Sequence, residues 1–253
     1  MQHIASIRNL SLVRVTMEHL LARQSGLPGL ACLYGPAGFG KTTALTAIGN
    51  EFRAYYIQMR SVWGRKSLLE NILIEMGLAT PNGKSPGSVS KMLDMATQQL
   101  SASGRPLIID EFDHCAKSDS LVELTRDLYE MSQSPVIVVG EELLPKKLNR
   151  WERFHSRVLA WVPAAPVAAA DIPELARIYC PGVTLSDAMQ ARLVALANGS
   201  VRRVAVNLAG IAEAAAVEGW KTVSPELWGN RPLYTGESPA ARDFRKKEEV
   251  KKS

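Results

Sequence analysis

The sequence has no hydrophobic run long enough to cross a membrane. Mean hydropathy over the 253 residues is −0.04, and no stretch approaches the roughly 20 consecutive apolar residues of a membrane helix. The first residues, Met1-Gln2-His3-Ile4, lack the basic flank, apolar run and small-residue cleavage site of a signal peptide. We therefore expect a cytoplasmic protein without a membrane partner.

Cysteine is also scarce, and the excess of basic residues is modest. Cys32, Cys115 and Cys180 are odd in number and have no paired C-x-x-C spacing, which argues against a disulfide framework and against a zinc site. The 30 Lys and Arg residues exceed the 25 Asp and Glu residues by five. This balance permits a nucleic-acid partner without requiring one.

Short apolar runs alternate with amphipathic segments, which is typical of a parallel sheet covered by helices on both faces. Five runs are too short for helices and lack polar alternation, so each is predicted to be a buried strand. They are Leu30–Tyr34, Ala54–Met59, Leu107–Asp110, Val136–Val139 and Val158–Val162.

Two helices are predicted between these strands. The first starts at the capping box Ser67-Leu68-Leu69-Glu70, carries Leu69, Ile72, Leu73 and Met76 on one face, and ends at Gly77. The second follows the third strand and has an apolar face formed by Leu121, Leu124, Leu128 and Met131.

The composition changes after Val162, where Pro163-Ala164-Ala165-Pro166 interrupts regular structure. Helices are predicted at 172–179, 186–197 and 201–219, which together indicate a small all-helical lid. We expect four parts: an amino-terminal helical segment (1–28), an α/β core (29–165), the helical lid (166–227) and a disordered charged tail (228–253). Within the tail, Arg242–Ser253 is too polar to offset its ordering entropy and is predicted to be disordered.

The strongest motif is a G-x-x-x-x-G-K-[ST] sequence between a predicted strand and a predicted helix. Its glycines let backbone N–H groups point at phosphate oxygens, and the following helix adds its positive end. Lys41 is expected to reach the β- and γ-phosphates of ATP, and the Thr42 hydroxyl is expected to bind Mg²⁺. The nucleotide-binding residues are Gly35, Pro36, Ala37, Gly38, Phe39, Gly40, Lys41, Thr42 and Thr43.

A second motif ends the third strand in two carboxylates, Asp110 and Glu111. Asp110 suits the magnesium shell, and Glu111 is placed to orient or deprotonate the attacking water. Together the two motifs predict an ATPase with ATP and Mg²⁺ as its cofactors.

Arginines that could stabilise charge on the γ-phosphate precede the fifth strand and open the last long helix. Arg150, Arg153 and Arg157 form the first group, and each could equally be a surface arginine paired with Glu152. Arg202 and Arg203 form the second, at a helix start that favours an outside anion.

This arrangement resembles the AAA+ ATPases over about residues 10 to 225. Within AAA+, the segments Asp110-Glu111-Phe112-Asp113-His114 and Trp151-Glu152-Arg153-Phe154-His155-Ser156-Arg157-Val158 are similar to the target-selection ATPases of transposing phages, the B protein of phage Mu and its relatives.

The resemblance implies that Asp110 and Glu111 are the Walker B pair, that Arg157 or Arg153 is a finger reaching a neighbour's ATP, and that Arg202 is a second sensor. It implies slow, DNA-stimulated ATP hydrolysis and head-to-tail filaments of the protein on double-stranded DNA. It further implies target selection and transposase activation in DNA transposition, a form of DNA recombination, in a bacterial or phage-infected cytoplasm.

Two features depart from that pattern. Glu141 occupies the first-sensor position, which is normally polar and neutral, and we expect its charge to point away from the γ-phosphate. Only about thirty residues precede Gly35, so the amino-terminal helix-turn-helix of the Mu-type proteins is expected to be absent.

DNA contact is therefore expected on the ATPase body. The loop after the second strand, Arg60-Ser61-Val62-Trp63-Gly64-Arg65-Lys66, combines a basic cluster with one aromatic residue. Arg60, Arg65 and Lys66 are predicted to contact phosphates, with Lys117, Lys146 and Lys147 as secondary candidates. Each could instead be a solvated charge at the end of an element.

Two other functions stay open. One is a helicase-loader or secretion-type AAA+ ATPase that acts on a protein client. The other is a nucleotide-gated scaffold with little hydrolysis, against which Glu111 argues.

Overall fold

Five parallel strands form the central sheet, and each coincides with one of the five predicted apolar runs. The computed structural model describes residues 7–236, and residues 237–253 of the predicted disordered tail lie outside them. Within the described part of that tail, Trp228 is buried and the Tyr234 N–H donates to Asn207 Oδ1 at 2.7 Å, so disorder from 228 onwards is not what the structure has there. The strands stand in the spatial order β2-β3-β4-β1-β5. Their bounds are β1 (Leu30–Tyr34), β2 (Tyr55–Gln58), β3 (Leu107–Asp110), β4 (Val136–Gly140) and β5 (Val158–Pro163).

Helices cover both faces of this sheet. Successive strand residues point to opposite sides, so Leu107 and Ile109 join one apolar cluster while Ile108 joins the other. The helices of this half are α1 (Arg8–Ala22), α2 (Lys41–Glu51), α3 (Arg65–Glu75), α4 (Val89–Ser103), α5 (Asp119–Ser132), α6 (Leu144–Leu148) and α7 (Glu152–His155). The α/β P-loop fold predicted from the sequence is confirmed.

A third apolar cluster lies in the carboxyl-terminal part of the described chain. Its helices are α8 (Ile172–Tyr179), α9 (Asp187–Ala197), α10 (Val201–Glu218) and α11 (Pro225–Trp228). The lid was predicted to be all-helical, but it also contains two short strands, β6 (Thr184–Leu185) and β7 (Thr222–Val223), which pair in parallel. Strands of two residues are too short to leave a periodic signal in the sequence.

Two local predictions are wrong. Helix α3 starts at Arg65 after an N-cap at Gly64, so Ser67 lies inside its first turn and forms no capping box. Arg65 and Lys66 consequently belong to α3 and not to the preceding loop. Met131 in α5 is 52% exposed, whereas Leu121, Leu124 and Leu128 are buried as predicted.

The three cysteines are buried and free. Within residues 7–236, no group of His, Cys, Asp and Glu side chains is arranged to hold a metal ion by itself. No helix in that same range is long and apolar enough to span a membrane.

Candidate nucleotide-binding site

The glycine motif forms the turn between β1 and α2. Gly38 and Gly40 both have φ of +83°, a left-handed conformation that side chains disfavour. At Gly38 a Cβ atom would also lie 2.6 Å from the Ser200 hydroxyl oxygen. Glycine is therefore needed there both for the turn and for the approach of α10.

Lys41 is the first residue of α2, and its ammonium turns back over the glycine turn. Its Nζ donates hydrogen bonds to the carbonyl oxygens of Gly35, at 2.6 Å, and Pro36, at 3.0 Å. Burial lowers the pKa of Lys41, against the opposing effect of nearby carboxylates, first among them Asp110. The ammonium lies where the motif requires a cation for phosphates.

The carboxylate of Asp110 accepts two hydroxyl hydrogen bonds on the same oxygen. Thr42 Oγ1 donates to Asp110 Oδ2 at 2.9 Å, and the Tyr56 hydroxyl donates to that atom at 2.8 Å. Burial, followed by the charge of Asp110, raises the pKa of the Tyr56 hydroxyl, which therefore stays protonated as a donor. The oxygens of Thr42 and Asp110 are hard ligands at one point, which fits Mg²⁺, an ion that keeps much of its water shell.

Glu111 has an unusual backbone conformation. Its φ is +56°, and its N–H donates to Asp110 Oδ1 at 2.8 Å. Non-glycine residues held in the left-handed region of backbone conformation are concentrated at functional sites. The conformation places Glu111 at the wall of the same cleft as Lys41 and Thr42.

That cleft has a volume of about 290 Å³ and lies between the sheet and α10. The backbone N–H of Arg202 donates to the carbonyl of Gly38 at 3.1 Å, which holds the first turn of α10 on the glycine turn. The cleft is lined by Ala37, Gly38, Gly40, Lys41, Thr42, Thr43, Asp110, Glu111, Gly140, Glu141, Tyr179, Val201, Arg202 and Ala205. Glu141, which we expected to point away, thus lies at the rim of the cleft.

A buried asparagine ties α1 to the same region. Asn9 Nδ2 donates at 2.8 Å to the carbonyls of both Phe39 and Ala165, and Asn9 Oδ1 accepts from the Ala165 N–H at 2.7 Å. Arg8 N–H donates at 3.0 Å to Asp171. The start of α1 therefore fastens the glycine turn to the segment that leads into α8.

The arginines before β5 differ in their contacts. The backbone carbonyl of Arg157 accepts from Leu30 N–H at 3.0 Å, so Arg157 lies at the amino end of β1, opposite the glycine turn. Its side chain pairs with Glu130 at 2.5 Å. Arg150 stacks over Trp151, with 3.8 Å between Cζ and the ring centroid. Arg153 is exposed and has no ion pair or hydrogen bond from its side chain within residues 7–236.

The predicted DNA-contacting residues follow the carboxyl ends of two neighbouring strands. Arg60, after β2, lies with its guanidinium carbon 5.4 Å from the ring centroid of Trp63. Lys66 is 3.8 Å from Glu70 on the next turn of α3. Arg65 and Lys117 are exposed. All four residues stay predictions as DNA contacts.

Three residues of this site belong to no sequence motif and were not identified from the sequence. Tyr56 reaches Asp110 only because β2 pairs with β3 in one register, in which Tyr56 is opposite Ile108. Asn9 and Tyr179 lie in α1 and α8, which are distant in sequence from both motifs. For Asn9, a polar residue among the apolar positions Leu10, Val13 and Met17 was the available signal.

Residues 24–148 match the sequence profile of a family described as an AAA domain. This part of the chain is therefore an AAA-type P-loop ATPase domain. No curated protein matches the chain.

Solved structures of archaeal proteins share the fold. They include the ORC2 protein of Aeropyrum pernix in ADPNP and ADP complexes (17% identity, TM-score 0.60) and Cdc6p of Pyrobaculum aerophilum (14%, 0.61). A third is the ORC1 protein of Aeropyrum pernix in complex with DNA (21%, 0.55). Each alignment covers 87% of this chain and 65%, 64% and 62% of the respective neighbour. The chain thus spans less than two thirds of these proteins, and the likeness is one of fold.

Proposed function

We propose that this chain is an ATP hydrolase that binds double-stranded DNA without sequence preference and assembles on it head to tail while ATP is bound. The observation that carries the proposal is the convergence of two motifs on one cleft. Lys41 and Thr42 enter it from the glycine turn, Asp110 and Glu111 enter it from β3, and Arg202 closes it from α10.

Each of these side chains has a role in phosphoryl transfer. The N–H groups of the glycine turn and Lys41 bind the phosphates, and Thr42 and Asp110 would hold Mg²⁺. When bound, the ion neutralises charge on the phosphate oxygens. Glu111 orients the attacking water and takes its proton as the water attacks the γ-phosphate. ADP and phosphate are the products.

The exposed arginines support assembly with a second copy. Arg153 and Arg157 lie towards the amino end of the sheet, whereas the nucleotide cleft is at the carboxyl end. A strand of five residues spans about 13 Å or more, so Arg157 would serve a neighbour's cleft and not its own. An interface of this kind is heterologous and extends into a filament when the rotation does not close.

Backbone contacts alone are sufficient for sequence-nonspecific DNA binding. Arg60, Arg65 and Lys66 form the basic cluster proposed to make them, with Lys117 as an additional contact. One structure of the same fold, the ORC1 protein, is a complex with DNA, and another, ORC2, contains ADPNP and ADP. Both support the proposal by likeness of fold.

The biological role we propose is target selection and transposase activation in DNA transposition, in a bacterial or phage-infected cytoplasm. Its support is the similarity of residues 110–114 and 151–158 to the target-selection ATPases of transposing phages. A helicase-loader would share the ATPase fold but would require a protein ring as its client.

Binding of a fluorescent duplex of random sequence, followed by anisotropy, tests the proposal. We expect tight binding with ATP, and much weaker binding with ADP or without nucleotide. Equal binding under all three conditions would contradict ATP-dependent assembly. Stimulation of strand transfer by the cognate transposase then tests the role in transposition.

A further inference from the structure

Glu141 brings a negative charge to the rim of a cleft proposed to receive the phosphates of ATP. It follows the last residue of β4, and its side chain is 68% exposed. The pKa of Lys41 is lowered by burial, and the charge of Glu141 is among those that oppose this lowering. Glu141 is therefore within electrostatic reach of the Lys41 ammonium. A carboxylate in this place would repel a γ-phosphate unless a cation compensates it.

Lys147 in α6 is that cation. Its Nζ is 3.8 Å from Glu141 Oε2 and 2.5 Å from Asp113 Oδ1. The hydrogen bond that Lys147 donates to Asp113, together with the charges of Asp113 and Glu141, raises the pKa of Lys147. The adjacent Lys146 is exposed and forms no ion pair within residues 7–236. Only the second of these two neighbouring lysines faces the cleft rim.

Asp113 connects this lysine to the backbone at the end of β4. It is buried, and its Oδ2 accepts from the Glu141 N–H at 2.6 Å. A Cβ atom on Gly140 would overlap the Asp113 carboxylate. The chain therefore uses glycine at 140 to let Asp113 reach the next amide, and Lys147 supplies the charge that Asp113 needs in its buried position.

We propose that Lys147 is a positioning residue for recognition of the γ-phosphate. It offsets part of the negative charge that Glu141 and Asp113 bring to the rim and, through Asp113, holds the end of β4 at the rim of the cleft. The inference rests on the proposed binding of ATP in this cleft, and it adds a residue that the Walker motifs do not contain.

Loss of Lys147 has a specific consequence for nucleotide choice. Glu141 would then stand uncompensated beside the outermost phosphate, so ATP would be repelled more than ADP. Glu141 is largely solvated and its effect is screened, so we expect a loss of roughly tenfold in ATP affinity at low salt. The affinity for ADP should change less than about twofold, because its phosphates end one position further from the rim.

The experiment measures ATP and ADP affinities with fluorescent nucleotides for the full chain and four variants. Lys147→Met should lower the ATP:ADP affinity ratio roughly tenfold, whereas Lys146→Met, the matched control on the same helix, should leave it unchanged. Lys147→Arg should keep the ratio near that of the wild type. The double variant Lys147→Met/Glu141→Gln should restore the ratio, because it removes one positive and one negative charge and so returns the rim to the net charge of the wild type.

Rescue by Glu141→Gln separates charge compensation from a merely structural role, since a damaged fold would not regain ATP affinity when Glu141 is neutralised. An unchanged ATP:ADP ratio in Lys147→Met, or a double variant as poor as Lys147→Met alone, would overturn the inference. A wild-type chain that binds neither nucleotide would overturn the proposed function itself.

Discussion

The hydroxyl of Thr42 lies 2.9 Å from Oδ2 of Asp110, and this hydrogen bond joins two motifs that are 68 residues apart. The same oxygen accepts from Tyr56 at 2.8 Å. Two hydroxyl groups thus fix the rotamer of one carboxylate that lines the cleft. The position of Asp110 depends on β2 as well as on the glycine turn.

Tyr56→Phe should therefore impair Mg²⁺-dependent turnover. Removal of a hydrogen bond to a charged group costs about 1.5–3 kcal/mol, so we expect kcat/KM for MgATP to fall about tenfold or more. Tyr55→Phe is the matched control, because the Tyr55 hydroxyl bonds Gln99 and not Asp110. Steady-state hydrolysis against magnesium concentration checks the prediction. Equal losses in both variants would show that Tyr56 acts only through the fold.

Asn9→Ala should destabilise the protein and loosen the glycine turn. Asn9 is buried and makes three hydrogen bonds to the backbone of Phe39 and Ala165. A buried polar group left unpaired costs about 1–3 kcal/mol, which a shift of the urea midpoint will measure. The control is Asn71→Ala, which removes one bond within α3. A midpoint for Asn9→Ala that matches this control would contradict the role of Asn9.

Mixing two inactive variants tests whether a neighbour completes the site. Lys41→Ala is expected to lose nucleotide binding but keeps its arginines, whereas Arg157→Ala keeps the cleft. If Arg157 acts in a second copy, mixtures should hydrolyse ATP faster than either variant alone, because some interfaces combine both intact halves. The Arg153→Ala variant, mixed in the same way, shows which of the two arginines reaches the cleft. Failure to recover activity at any ratio would favour a site complete within one chain.

Replacing Arg60, Arg65 and Lys66 by alanine should weaken duplex binding for all sequences. Each lost phosphate contact releases about one counterion fewer, so the slope of log affinity against log salt should flatten by roughly one per contact. The ATP affinity of the isolated subunit should be unchanged, since these residues follow β2. A chain that lacks 242–253 is the comparison. A larger loss of slope in that deletion would assign DNA binding to the tail.

Much of the sheet could be predicted because buried parallel strands are continuous apolar runs. One of them, Leu107–Asp110, leads directly into the two carboxylates proposed to act on ATP. The glycine turn could also be predicted, since its residue types are set by backbone approach to phosphate. Helix α3 was misplaced because Ser67 and Glu70 have the spacing of a capping box at a point where the helix had already begun at Arg65.

Contacts between distant segments could not be predicted in the same way. The hydrogen bond from Tyr56 to Asp110 requires the register of β2 on β3, and the ion pair of Lys147 with Asp113 requires α6 to fold back over the turn that follows β3. Neither relation has a fixed spacing in sequence. From the sequence alone, a carboxylate at position 141 is expected to repel the γ-phosphate. The lysine that offsets its charge, Lys147, lies six residues later in α6, and only the fold brings the two together.

In the function we propose, ATP binding assembles this chain on DNA, and hydrolysis that depends on Glu111 returns it to the ADP-bound state, which binds DNA weakly. Glu111→Gln keeps the shape of the side chain but cannot accept a proton, so turnover should fall about 10²–10⁴-fold while ATP still binds. Electron microscopy of this variant with random duplex DNA and ATP is the most direct test. Our account predicts long-lived protein filaments on the DNA, and none with Lys41→Ala or with ADP. Bare DNA in the presence of ATP and Glu111→Gln, or filaments that form equally well without nucleotide, would contradict it.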